Sequence, residues 1–472
     1  MNRSAMVLLA ALVLGSGVAH AQTDNQPDGT TAQTAPTPEE LKDAMDGLGD
    51  RVTTLETDVD KLKSLKISGY VQADWQHYDQ SSNQGRVVPG YVAPTNANGT
   101  NVATYPAKNL FTVRRGRVKI QSKLGDWMNA VIQPDITENG FALKEAYVEL
   151  SPFSSPILMI TAGSQNRPNY EVEVSSSALE ALERSQVTKA FYPNEYDLGL
   201  QLSTRYELFD GFDPKLQVGI FNGPGPSPET DSYKDIITRL TFPIPFGSES
   251  PVQADLGVSL YYGGVPQLGD SVKKTVGETT INVANDATGS MAGFGNKENF
   301  NIEAQIFLDI LPIGGTIIKG EFMTGRRPTL NTVATSATVG TKKDSLGKDI
   351  VSITPGAAAS NLQIRNQSGF YAYFIQNIAS DLQIVARYDM FDRNTDLAGT
   401  QVTSAGDAAS SVLGIGVNYF FGNMRFSVLY EMPKFAASEN IQTDPATKKP
   451  GDDYRTMDLK DNKTTVRLQY KF

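Results

Sequence analysis

Arg115, Arg117 and Lys119 stand two residues apart in the stretch Phe111-Thr-Val-Arg-Arg-Gly-Arg-Val-Lys119. In an extended chain such residues share one face, about 7 Å apart. A row of cations facing a narrow aqueous passage lowers the barrier for anions, and guanidinium matches carboxylate or phosphate oxygens. Arg239 and Arg387 bring further cations to the polar faces of later segments. Two readings of the row stay open: solute selection, or wall charges paired with neighbouring carboxylates such as Glu145 and Asp74. Arg114 falls on the other face, which predicts a position at the level of lipid headgroups.

The segment from Asn169 to Asp197 holds six acidic residues against Arg184 and Lys189. Ser177-Ala-Leu-Glu180 has the form of a capping box, and Leu179 and Leu182 share a helical face, so a short helix is predicted there. Glu180, Glu183 and Arg184 on that helix would face the cation row across a passage, giving a transverse field that orients dipolar solutes. The alternative is that these acids serve the outer surface of a loop and the cations that bridge lipopolysaccharide.

Other chemistries are excluded. The chain has no cysteine and two histidines, His20 and His77. That leaves no basis for a cysteine nucleophile, a zinc site or a histidine-based triad, so neither metal nor cofactor nor enzymatic activity is expected. A formal charge of −10 argues against a nucleic-acid partner.

The elements that must carry the charged rows are strands. From Ile67 onward, segments with apolar residues at every second position recur sixteen times, from Ile67, Val71, Ala73 and Trp75 to Val466, Leu468, Tyr470 and Phe472. Their alternate positions carry Gln72 and Asp74, Arg115 to Lys119, Glu145, Arg239, Glu303, Arg387 and Arg467. Short turns, as at Leu124-Gly-Asp126 and Phe421-Gly422, alternate with long polar segments such as His77–Lys108 and Thr324–Gln367. This predicts an all-β fold: a 16-stranded antiparallel transmembrane β-barrel over residues 66–472, short turns periplasmic and long loops extracellular. The last strand is predicted to pair with Ile67–Trp75. The mean hydropathy of −0.29 is compatible, because only alternate strand residues need be apolar.

Ahead of the barrel, Arg3, the apolar run Ala5–Gly15 and Ala19-His-Ala21 read as an export signal over residues 1–21. Residues 22–37 read as a disordered linker. Thr37-Pro-Glu-Glu40 then caps a helix over residues 38–65, with Leu41, Met45, Leu48, Val52, Leu55, Val59 and Leu62 spaced 4-3-4-3-4-3. That spacing predicts a periplasmic coiled coil; the alternative is a lone amphipathic helix on the barrel rim.

Several stretches resemble the phosphate-selective porin O and P family: Ile67–Asp74, Phe111–Arg117, Lys144–Val148, Ala162–Pro168, Glu183–Ser185, Val218–Gly223 and Arg387–Asp392. The resemblance implies a bacterial outer-membrane porin, a homotrimer, with an anion preference that can include phosphate. A passive channel for small hydrophilic solutes is the function expected, with Arg115, Arg117, Lys119, Glu180, Glu183, Arg184, Arg239 and Arg387 lining it. The competing reading is a plugged barrel that tethers a periplasmic partner through the coiled coil.

Overall fold

Period-2 alternation folds here into one closed sheet. The computed structural model describes residues 38–79, 109–138, 140–153, 157–169, 172–225, 227, 229, 233–247, 250–266, 271–276, 279–284, 294–334, 338–343, 349–354, 358–398, 409–435 and 462–472. The predicted signal and linker lie outside these residues. The chain divides into two units, Met1–Leu62 and Lys63–Phe472.

In the first unit, helix α1 begins at Pro38 and extends to Lys63, into the start of the second. It runs through Gly47 and Gly49, each of which costs about 1 kcal/mol relative to alanine. The heptad residues Met45, Leu48, Val52, Leu55 and Val59 are all exposed on the single chain. The side chains of Leu41 and Leu62 lie outside the described set.

The second unit is a barrel of sixteen strands: β1 (Leu65–Tyr78), β2 (Asn109–Leu124), β3 (Met128–Thr137), β4 (Gly140–Leu150), β5 (Met159–Asn166), β6 (Tyr196–Arg205), β7 (Lys215–Phe221), β8 (Asp235–Ile244), β9 (Val252–Pro266), β10 (Phe294–Leu308), β11 (Thr316–Ala334), β12 (Ala358–Asn377), β13 (Leu382–Asp392), β14 (Ser410–Phe421), β15 (Met424–Phe435) and β16 (Lys463–Lys471). Each pairs antiparallel with its neighbours in chain order. β16 pairs with β1 and closes the sheet, with Trp75 opposite Val466 and Val71 opposite Tyr470. Closure removes the open edges that hydrocarbon could not satisfy. At the seam Phe472 exchanges backbone hydrogen bonds with Gly69 at 2.9 and 3.0 Å. A β-carbon at residue 69 would press on the Arg117 backbone carbonyl and meet the Phe472 ring at 2.6 Å, so glycine makes room for both the neighbouring strand and the aromatic ring.

The wall is inverted relative to a soluble protein. Leu260 and Tyr262 of β9, Phe426, Val428 and Tyr430 of β15 and Leu468 of β16 are exposed on the outside, while Gln72, Asp74, Ser427 and Arg467 are buried inside. An outward charge at mid-membrane depth costs about 2–4 kcal/mol, and the alternation keeps the charges on the lumen side.

Two expectations change. Strands run far into the predicted long loops: β11 and β12 pair from Thr316–Gln376 out to Ala334–Ala358, and hairpins form at Ser271–Ala284 and Thr338–Thr354. Backbone pairing beyond the apolar belt needs no apolar face, so the sequence pattern fades where the strand does not. Second, the lumen face is not uniformly polar. Tyr371, Tyr373, Ile375, Val385 and Phe391 point inward and are buried. They come from runs such as Phe370-Tyr-Ala-Tyr-Phe-Ile375, apolar on both faces because something covers the inside.

Candidate pore constriction

What covers it is the connection between β5 and β6. Val172, Leu182, Val187, Phe191 and Tyr192 of this loop join Ile237, Tyr261, Met323, Tyr371, Ile375, Val385, Phe391 and Leu429 of the wall in one buried cluster. Phe191 stands edge-on to Phe391, ring centroids 6.1 Å apart. Burying each large apolar side chain contributes about 1.5–3 kcal/mol, so the loop is seated by packing as well as by charge.

The predicted helix after Ser177 does not form; that stretch is a series of turns. The helix is α2, Gln186–Phe191, capped by Ser185, whose side chain accepts from Thr188 N. Leu182 has a φ of 63°, a left-handed conformation that interrupts any helix through Glu183. Arg467 holds this bend by donating to the Leu182 carbonyl at 2.6 Å. The Ser185 cap carries no capping-box signature, because Thr188 rather than an acid stands three residues on.

Glu183 is the loop carboxylate on which several wall arginines converge. Arg114 donates to both its oxygens at 2.7 Å. Arg467 donates to it at 2.7 Å, and Arg115 lies 3.5 Å away. Burial pushes the Glu183 carboxyl upward, but the Arg115, Arg114 and Arg467 guanidiniums outweigh that and hold it well below the usual carboxylate range. Arg114 therefore faces the lumen, contrary to the strict alternation. The reason is a β-bulge: Gln72 pairs with Arg115 but Ala73 pairs with Val113, so Arg114 is skipped.

The rest of the predicted cation row is paired with carboxylates. Arg117 meets Asp135 at 3.0 Å and donates to the Ser176 hydroxyl at 2.9 Å. Lys119 meets Glu145 at 2.8 Å. Arg115 also donates to Gln72 at 2.9 Å. Elsewhere, Arg239 is bound to Glu303. Arg387 donates to the Glu183 carbonyl and, at 3.0 Å, to Glu431. Glu180 takes Lys319 on both oxygens, at 2.9 and 3.0 Å. Arg184 turns into its own loop, donating to the carbonyls of Glu173 (2.8 Å) and Val174 (2.7 Å) and to Glu195. Of the predicted residues, Arg115, Glu183 and Arg387 come together, joined by Arg114 and Arg467. Lys119, Glu180 and Arg239 form separate pairs.

Glu173 was not singled out from sequence. Its buried carboxylate accepts from Ser185 N and Oγ, all at 2.9 Å, and from the Tyr373 hydroxyl at 2.5 Å. On the opposite wall Asn301 donates to the Tyr192 hydroxyl at 2.7 Å, and burial pushes that phenol up to about 12. The loop is thus tied to the wall on several sides.

Space remains around it. A cavity of about 470 Å³ on the short-turn side is lined by Glu180, Arg239, Glu303 and Lys319. A second of about 240 Å³ lies beside Glu145, Gln201 and Gln217. A third of about 650 Å³ opens toward the long connections between the loop and β1–β4. His77, stacked on Trp75 and 2.7 Å from Asn109 Oδ1, stands apart from these charge clusters.

No protein-family model matches the sequence and no curated protein matches it, so the resemblance to the phosphate-selective porins rests on the short stretches alone. Among solved structures, the chain is similar to the outer membrane channel DcaP of Acinetobacter baumannii (13% identity, 86% of this chain and 97% of that chain, TM-score 0.47). It is also similar to an anion-selective porin from Comamonas acidovorans (11% identity, 87% and 99%, TM-score 0.45) and to OmpT, an outer membrane protein of Vibrio cholerae (12% identity, 86% and 97%, TM-score 0.45). The likeness is one of overall barrel shape.

Proposed function

We propose that the chain is a porin of the bacterial outer membrane, a passive channel for small hydrophilic solutes with a weak preference for anions. The observation that carries this reading is the inverted wall, apolar outside and charged or amide-lined inside, which suits hydrocarbon without and water within. The loop between β5 and β6 acts as the constriction, and the cavities around it support partial filling rather than a sealed lumen.

The anion preference is weak because most lumen cations have carboxylate partners. One that does not is Arg425, buried with Nε and Nη2 lacking hydrogen-bond partners among the described residues. Phosphate is a solute of this channel rather than its selected one. The guanidinium forks that would grip it at Arg114, Arg115 and Arg117 are taken up by Glu183, Gln72 and Asp135. Residues 1–21 act as the cleaved export signal. The exposed heptad face of α1 joins chains on the periplasmic side, and the resemblance to the phosphate-selective porins, rather than the heptad residues, supports three chains over two.

Purified protein in planar bilayers should give discrete conductance steps, and a salt gradient should give a small reversal potential of anionic sign. The buried loop–wall cluster favours the tether reading as the rival. A folded, inserted barrel carrying no current would replace the channel reading with it.

A further inference from the structure

We propose that the cavity of about 650 Å³ is a binding site for a small organic carboxylate with an apolar body, held by Lys144 and Lys189. The proposal deepens the channel reading and rests on it for the route by which the solute arrives.

Two β-bulges build the site. In β2 the register skips Arg114, as described above. In β4 it skips Lys144: Gln133 pairs with Glu145, but Pro134 pairs with Leu143. A bulge adds one residue and re-aims its side chain. Both skipped residues are cations, and both line this cavity. The loop supplies a third, Lys189 in the last turn of α2. A fourth, Lys463, is paired with Glu431 at 2.9 Å.

The carboxylates lining the cavity are already engaged. Glu183 holds three arginines, Asp135 holds Arg117 at 3.0 Å, and Glu138 accepts from Val113 N at 3.0 Å. Lys144 and Lys189 make no salt bridge among the described residues. Among the described residues, two ammonium groups are therefore without a salt-bridge partner in a space that an anion can enter. Tyr78, Leu110 and Ala142 line the same cavity and give it an apolar side. Lysine presents a point charge rather than a fork, so it does not favour phosphate over carboxylate, and the apolar wall favours an organic body.

The test is fluorine NMR of 4-fluorobenzoate with the full-length protein in detergent micelles, micelles alone being the reference. Saturable line broadening is expected with the unaltered protein. Lys144→Gln and Lys189→Gln should each weaken binding about tenfold, since each removes one charge-assisted contact. Should Lys144→Gln fail to fold, Lys189→Gln, on an exposed side chain, carries the same comparison, with Lys189→Arg restoring binding. Undiminished broadening in the variants overturns the proposal. So does displacement by inorganic phosphate as effective as displacement by unlabelled benzoate. Binding lost in the variants while the bilayer shows no current upholds the site and sinks the channel reading instead.

Discussion

Arg467 and Asp74 face each other directly across the seam between the last strand and the first, joined by two parallel hydrogen bonds of 2.7 Å, both side chains fully buried. The same guanidinium reaches Glu183 and the Leu182 carbonyl of the inserted loop. One arginine thus ties the seam of the barrel to the inserted loop.

Breaking that pair from one side leaves the other charge buried and uncompensated, at a cost of about 3–5 kcal/mol. Asp74→Asn and Arg467→Gln should each lower the temperature at which the unheated barrel loses its fast electrophoretic mobility. Combining Asp74→Asn with Arg467→Gln should cost less than the sum of the two. Additive costs would mean the two groups are not energetically coupled.

Glu183 sets the acid response. Its folded-state pKa lies below its ordinary value, so its contribution is complete above that value and fades as pH falls through the depressed one. Conductance should stay flat from about pH 8 to about pH 5 and rise only in stronger acid. Glu183→Gln should show the larger conductance above about pH 5, with wild type rising to meet it in stronger acid. A wild-type rise centred near neutral pH would assign gating to another group.

Selectivity should respond to pairs rather than to single wall cations. Lys119→Gln frees Glu145 and should move the reversal potential toward cations. Lys119→Gln with Glu145→Gln should return it most of the way. If the single change leaves the potential unmoved, this pair lies outside the conduction path.

The loop's apolar seat gives a mechanical prediction. Phe191→Ala removes a fully buried ring packed on Phe391, costing about 3–5 kcal/mol of seating energy. It should increase open-channel noise and mean conductance while the barrel's heat resistance falls little. Unchanged current traces would show that charge contacts alone hold the loop.

Leu48→Ala with Leu55→Ala cuts back two exposed leucines of the heptad stripe. If the stripe joins chains, sedimentation in mild detergent should shift from an oligomer toward the single barrel. An oligomer of undiminished size would leave α1 without a part in assembly.

The architecture was legible because lipid imposes a severe rule: every charge must face inward and every strand must find a partner. Alternation in β9, β15 and β16 obeys it, so sixteen strands, their lumen faces and the β1–β16 seam all follow from residue order. Asp74 and Arg467 could have been paired on that basis, being inward residues of strands already expected to meet. What residue order could not convey was where alternation breaks. The bulges that turn Arg114 and Lys144 inward depend on pairing register, a relation between strands and not a property of either. The loop's conformation likewise depends on contacts made only after closure, when Arg467 holds Leu182 in its left-handed bend and Glu183 meets its three arginines. Local composition determined a barrel with a charged interior; only the tertiary structure decided which charges neutralise one another and which remain for a solute.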